Sequence, residues 1–534
     1  MLAASAVIVA VVVAVALTLG PGELAPATGA AEVIPSDTLL YVHLSTDRRR
    51  PALKRARSLA ARFPDYSRLS GAVDARLSAL LEAPASEVRP WLGNEAAFAL
   101  LNTTTSTAGS LVVLDVARPV LARRFVIDGG ALATGSYHGT QLLRNPTGTV
   151  LAFVSHYLVA GQGASVRAAI DVAGRREGSL AQSPAYLQAA ADEPDDRVLD
   201  AYVSVAGVRR VLGARGGLLG ALGMLMDQPA LTGTAISLSA TSPGARLKLH
   251  AALDPALARV SGPPAPFSPS LPAALPAPGV LMLDVQNLAQ WAPRILGASA
   301  KLGIGGGVQP LFRRLGAALG SEGVDVHSLT AVFSGESAIA ISPTTVPTSR
   351  APSRPGTAGR SRRGPALVIV TRTHNQQATS SLLASLEAPL AQLFPPPASG
   401  PGQAPEFSEV PVAGGAVTVH RLVLAPGLEL DYAVFRGLVV VATSLPAVGE
   451  ITQPARSLDT ERPYRATLGD GPDAVTSLLF LDFSQLLSLG EQTGLVHGRR
   501  FKAVLPDLNR IRSIGLSATR EESDTNAELL VQIP

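Results

Sequence analysis

The sequence predicts an α+β protein: two tandem copies of a mainly antiparallel sheet with helices packed on one face, after an N-terminal transmembrane helix. Three observations predict it. Short stretches of alternating apolar residues follow one another across short turns, which favours antiparallel pairing. The same stretches recur at constant separations along the 534-residue chain. The first twenty residues form an uncharged apolar run.

That run, residues 2–19, carries no charged side chain and ends at Gly20-Pro21-Gly22. Its length is at the short end of the ~17–25 residues that span a bilayer core. It reads as a membrane anchor, with a cleaved signal peptide as the alternative: small residues at Thr28-Gly29-Ala30-Ala31 offer a cleavage site. No Lys or Arg precedes the run, so the usual orientation signal is missing, and a start further upstream is the expectation. The division predicted is 1–20 anchor or signal peptide, 21–32 linker, 33–259 first copy, 260–275 proline-rich linker and 276–534 second copy. Residues 343–364 and 395–405, rich in Pro, Ser, Gly and (in the first) Arg, read as disordered insertions.

The repeat is carried by several anchors. Leu40, Val42 and Leu44 match Leu281, Leu283 and Val285 at a separation of 241. Gly93-Asn94-Glu95-Ala96-Ala97-Phe98-Ala99-Leu100 parallels Gly335-Glu336-Ser337-Ala338-Ile339-Ala340-Ile341. Towards the end of each copy the separation is 278: Ser179, Leu180 and Tyr186 match Ser457, Leu458 and Tyr464. Ile236 to Thr241 matches Ile514 to Thr519 in the same register. In the first copy the pattern predicts strands near 39–45, 95–101, 110–116, 148–154, 157–160, 201–205, 234–241 and 245–252. It predicts helices near 50–62, 67–82, 118–127, 164–174 and 207–225. In the second copy it predicts strands near 280–285, 337–342, 366–372, 415–424, 428–435, 438–442, 476–482, 513–519 and 526–533.

Composition narrows the function classes. Hydrophobic residues make up 47% and charged residues 16%, which suits packed cores rather than a disordered chain. Net charge is only +4 and aromatics are 4%, leaving few rings on which bases could stack, so no nucleic-acid partner is expected. With no cysteine there is no disulfide, thiolate metal site or cysteine nucleophile.

Pro35-Ser36-Asp37-Thr38 leading into a Leu-Tyr-Val strand, Trp91-Leu92-Gly93-Asn94-Glu95, and Ser179-Leu180-Ala181-Gln182-Ser183-Pro184-Ala185-Tyr186 together resemble a bacterial family of unknown function, domain 3352, common in actinobacteria. The resemblance covers most of the chain after the apolar run. It implies a membrane-anchored exported protein and carries over no catalytic residue. The missing charged tail before the apolar run is a departure from that pattern.

No motif for chemistry completes itself. Gly161-Gln162-Gly163 follows a strand and opens a helix, but a dinucleotide site needs a third glycine where Val166 stands. A helix cap is the reading instead, because the matching place in the second copy, Ala442-Thr443-Ser444, has no glycine pair. The eight histidines form no metal-binding pair, so neither metal nor cofactor is expected. Gly135-Ser136-Tyr137-His138-Gly139 reads as a turn rather than a triad. The surface candidates are His43, on the polar face of the first strand, its repeat counterpart Asp284, and the basic cluster Arg48, Arg49 and Arg50. His43 and Asp284 face solvent or, if the copies pack about a two-fold axis, meet each other. The cluster is either a solvated helix start or a contact for anionic lipid or wall polymer.

Two functions follow. The first is a non-catalytic binding or structural role in the cell envelope, with an envelope protein or lipid as partner and the membrane held through the N-terminal helix. The second is a carrier of an apolar small molecule lined by Val208 to Leu225. A polar cleft between the copies favours the first; a continuous apolar cavity favours the second.

Overall fold

The computed structural model describes residues 25–47, 49–64, 85–102, 109–213, 226–260, 264–292, 297, 331–346, 362–392, 405–425, 428–493 and 499–534. The apolar run at 2–19, Arg48, the helix expected near 67–82, Leu218 to Leu225 and most of both insertions lie outside the described residues. Among the described residues no helix is long and apolar enough to cross a membrane.

The described residues form one antiparallel sheet of twenty strands. The first ten are β1 (Thr38–Ser45), β2 (Leu92–Leu101), β3 (Gly109–Val116), β4 (Leu132–Tyr137), β5 (Thr140–Arg144), β6 (Val150–Val154), β7 (Tyr157–Gly161), β8 (Arg197–Ser204), β9 (Leu231–Ala240) and β10 (Gly244–Leu253). They lie side by side in the order β4-β5-β6-β7-β3-β2-β1-β8-β9-β10. The remaining strands are β11 (Leu281–Gln286), β12 (Glu336–Val346), β13 (Arg362–Arg372), β14 (Ser408–Val412), β15 (Val417–Ala425), β16 (Leu428–Phe435), β17 (Leu438–Ala442), β18 (Ser477–Asp482), β19 (Ser513–Arg520) and β20 (Asp524–Gln532). Their order is β14-β15-β16-β17-β13-β12-β11-β18-β19-β20. Antiparallel pairing of β10 with β20 joins the two halves into a single sheet.

Helices pack on both faces of the sheet, not on one. All eight residues of β1 are buried. Tyr41 lies under α3 (Gly163–Ala173) and α4 (Pro184–Ala189), whereas Leu44 lies under α1 (Pro51–Ala60). Neighbouring strand positions of opposite parity point to opposite faces, so both faces carry an apolar layer. The helix α2 (Pro119–Asp128) covers Val112 and Leu114 on the Leu44 side. The alternation of Leu40, Val42 and Leu44 marks only one of the two buried faces; Leu39, Tyr41 and His43 mark the other.

Three strands escape the sequence pattern: β4, β5 and β14. β4 and β14 are the two outer edges of the sheet, and β4 is exposed along nearly its whole length. An edge strand with little to bury has no apolar alternation to read. His138 and Gly139, both at positive φ, make the tight turn between β4 and β5, as expected of a turn. Of the stretch assigned to the proline-rich linker, Phe267 pairs with Val475 and Leu271 and Leu275 are buried in the second half's core. The segment 267–275 is thus packed structure, equivalent in place to the short helical turn Gly29–Val33 at the start of the first half.

Candidate functional site

Two features stand out: a buried charge cluster under β1, and a cleft over β10 and β20, where the halves meet.

The cluster begins at His43. Its side chain is fully buried, and its Nδ1 lies 2.8 Å from Asp200 Oδ1 on the neighbouring strand β8. Its Nε2 lies 3.4 Å from Glu95 Oε2 on β2. Glu95 accepts hydrogen bonds from the Tyr157 hydroxyl (2.7 Å) and from the backbone N–H of Ala30 (3.1 Å). Asp200 also accepts from Arg197 Nε at 3.1 Å, and Arg197 Nη2 reaches Glu193 Oε2 at 3.1 Å. Burial alone would lower the His43 pKa, but the Asp200 carboxylate and then Glu95 outweigh it and raise it to about 9. Burial likewise opposes ionisation of Glu95 and Asp200, and the His43 charge overcomes it, so both lie below the ordinary carboxylate range. Glu193 shares its arginine with Asp200; burial and the Asp200 charge push it up to about 8.

The second half builds the same place differently. Asp284 takes the position of His43, and its strand neighbour on β18 is Leu478, where the first half has Asp200. Glu336 takes the position of Glu95 and accepts from the backbone N–H of Leu271 (2.8 Å), the Ser270 hydroxyl and Arg372 Nε (3.2 Å). Asp284 is fully buried and neither carboxylate oxygen has a hydrogen-bond partner. Burial, then the Glu336 charge, raise its pKa to about 9, so at neutral pH it is a protonated acid.

The surface candidates are therefore redistributed. His43 and Asp284 face the core, not solvent, because both faces of β1 and β11 are covered. Nor do they meet: six strands separate β1 from β11, about 34 Å at ~4.8 Å per strand. Arg50 is buried and donates to the carbonyl oxygens of Arg197 (2.9 Å) and Asp195 (2.6 Å). Arg49 is 81% exposed and pairs with Asp47, which fits a solvated helix start.

The cleft lies across the junction, with a volume of about 890 Å³. Its floor is the β10–β20 pair, where Arg246, Lys248 and His250 sit opposite Leu530, Glu528 and Asn526. Its walls rise from α4 and from α7 (Arg462–Leu468), which pack on β9 and β10 and on β19 and β20 respectively. Asp192 and Glu193 line one wall, and Arg465 and Asp470 the other. Arg246 pairs with Glu528 at 2.9 Å and His250 Nδ1 lies 2.8 Å from Asn526 Oδ1. No Phe, Tyr or Trp is among the lining residues. The sequence held a signal for this floor: Ala245-Arg246-Leu247-Lys248-Leu249-His250 alternates, with every polar side chain on one face.

The Gly161-Gln162-Gly163 segment is the strand-to-helix turn expected, joining β7 to α3, but Gln162 makes no side-chain cap and neither does Ser444 in the matching turn. Gly161 has a steric reason instead: a Cβ there would stand 2.2 Å from the Ser110 carbonyl oxygen.

A family model described as "Protein of unknown function (DUF3352)" matches residues 1–533. The chain belongs to that family. No curated protein matches it. Among solved structures it is similar to crystal form I of TP0453, at 13% identity over 42% of this chain and 79% of that one, with a TM-score of 0.25. Crystal form III of TP0453 matches at 11% identity over 46% of this chain and 90% of that one, with a TM-score of 0.25. Membership of the DUF3352 family thus assigns no residue a role, and the junction cleft and its charges stand on their geometry.

Proposed function

We propose that this protein is a non-catalytic, membrane-anchored binding module of the extracytoplasmic face, built of two copies of one α+β unit, and that the cleft between them seats a polypeptide partner. The anchor rests on the uncharged run at residues 2–19. The duplication is supported by the strand order, which runs the same way in β1–β10 and β11–β20. It is supported too by the N–H groups of Ala30 and Leu271, which bind Glu95 and Glu336 with both pairs separated by 241. Leu249 sits opposite Ala527, its own counterpart at the separation of 278, so a pseudo-two-fold axis runs through the cleft floor.

The cleft carries the reading. Its volume is in the range of ligand sites, and its lining mixes Lys248 and Arg465 with Asp192 and Asp470. A polypeptide meets such a surface with both signs of charge and with backbone donors and acceptors, whereas a base or sugar would find no Phe, Tyr or Trp to stack on. Catalysis is disfavoured because His43, the imidazole best placed between carboxylates, is sealed from any substrate.

A photo-crosslinking residue at position 248 in cells tests this. A discrete protein adduct is expected, lost when Arg465→Glu and Asp470→Lys are combined. A probe at Val120, exposed and far from the cleft, is the control. No adduct from position 248, or the same adduct from both positions, overturns the proposal.

A further inference from the structure

The two walls of the cleft come from equivalent turns, but only one is tied to buried charge. In the first half, the turn at 191–197 leads from α4 into β8. Arg197 Nη1 donates to the Pro194 carbonyl oxygen at 3.1 Å, its Nη2 reaches Glu193, and its Nε reaches Asp200. Arg50 holds the same turn through the carbonyl oxygens of Asp195 and Arg197. In the second half, Gly471 stands in place of Glu193, Val475 in place of Arg197 and Leu478 in place of Asp200. That wall lacks the charged ties; Val475 instead exchanges two backbone hydrogen bonds with Phe267.

With Glu193 ionised, the charges of the first-half cluster are balanced. His43, Arg197 and Arg50 face Asp200, Glu95 and Glu193. The other groups around Glu193 are the Tyr41 and Tyr186 hydroxyls, both held neutral by burial, and Asp192 with His250 on the cleft side. Arginines keep their charge at any accessible pH, so His43 is the one cation of the cluster that can lose it. Once it does, Asp200 and Glu193 compete for the single Arg197 guanidinium. Asp200 is sealed in the core. Glu193 stands at the cleft wall, where water is available, and it is the carboxylate that can leave.

We infer that this cluster is a pH-sensitive latch on the first-half wall of the cleft: loss of the His43 proton frees Glu193 from Arg197 and loosens the turn that carries Asp192 and Glu193. The inference concerns regulation of the cleft and rests on its being the binding seat. The titrations run the same way. Ionisation of Glu193 near 8 brings the cluster into balance, and neutralisation of His43 near 9 then leaves it one negative charge in excess. A buried net charge is costly unless it reaches water or a partner. The latch is therefore closed at neutral pH and released on the alkaline side.

The absence of cysteine makes the test direct. A nitroxide is attached to Ala191→Cys on the latched wall or to Asp470→Cys on the other, and its mobility is followed from pH 6 to pH 10. The expected result is loss of the immobile component at position 191 with a midpoint near 9, where His43 gives up its proton. The label at 470 and the far-ultraviolet circular dichroism stay unchanged. Glu193→Gln, which cannot ionise, keeps the label at 191 immobile to pH 10. An unchanged spectrum at 191 in the otherwise wild-type protein, both labels moving together, or Glu193→Gln behaving as wild type overturns the latch. No partner enters this measurement, so its failure leaves the binding reading standing, and failure of the crosslinking leaves the latch standing.

Discussion

The two halves of the sheet hold an acid at the same buried place and treat it in opposite ways. Glu95 in the first half is ionised and shares a cluster with His43, Asp200 and Arg197. Glu336 in the second is bound by backbone and arginine donors, while Asp284 beside it is an unpaired buried acid kept protonated. The difference turns on two neighbours, His43 against Asp284 and Asp200 against Leu478. A buried position accepts charge where the opposite charge is built beside it, and otherwise the group stays neutral.

The largest effect that tests this contrast comes from removing one member of each set. His43→Leu strands Asp200 and Glu95 together in the core, and a broken buried ion pair costs about 3–5 kcal/mol. Asp284→Leu removes a group with no hydrogen-bond partner, so stability should hold or rise by about 1–3 kcal/mol. Urea midpoints of the two variants at pH 7 decide. Similar losses from both would mean that Asp284 is paired after all and that the halves do not differ as described.

A smaller effect, graded by pH, sharpens the same contrast. His43 has a folded pKa of about 9 against 6.5 for the free side chain. It holds its proton in the folded state where the unfolded chain has released it. Its stabilisation is full below 6.5 and is lost as pH rises through 9, on the order of 3 kcal/mol at ~1.36 kcal/mol per pKa unit. Asp284 moves from 3.8 to about 9, so it too binds more protons when folded, and stability falls from 3.8 upwards. Urea midpoints measured between pH 6 and 9.5 should therefore decline in the wild type and decline less in Asp284→Leu. A wild-type midpoint that rises over this range would contradict both protonation states.

The uneven legibility of these features has a physical cause. Most strands were readable because β1, β3, β9 and their counterparts bury side chains in a regular pattern. The constant separations are readable along the chain, and the strand order of the two halves runs in step with them. Glu95 and Glu336 lie in parallel stretches, and an acid in each of these otherwise apolar strands is a usable sign of a buried carboxylate. The cluster was not readable, because Asp200 and Arg197 lie about 150 residues from His43 and only the β1–β8 pairing brings them together. Solvent exposure of His43 was misjudged for a related reason: alternation along one strand shows that two faces differ, not that one of them is wet. Lys248 and His250 were visible as a polar face, but the cleft above them depends on where α4 and α7 come to rest.

The finest comparison is a single methyl group. Gly161 at the end of β7 and Ala442 at the end of β17 occupy matching places, opposite Leu111 on β3 and Val368 on β13. Ala442 is buried and tolerated. At Gly161 a Cβ would stand 2.2 Å from the Ser110 carbonyl oxygen, a backbone atom that moves only if the strand moves. Gly163, two residues on, has only side-chain atoms near its Cβ position, the closest at 3.6 Å. Gly161→Ala should therefore cost about 1–3 kcal/mol, the range of an overpacked core. Gly163→Ala, at the first position of α3, should be neutral or slightly stabilising, since alanine loses less backbone freedom in a helix than glycine. Thermal melts of the two variants read the difference directly. If Gly161→Ala melts like the wild type, the β3–β7 approach in the first half is no closer than its counterpart in the second, and the glycine there reflects descent rather than packing.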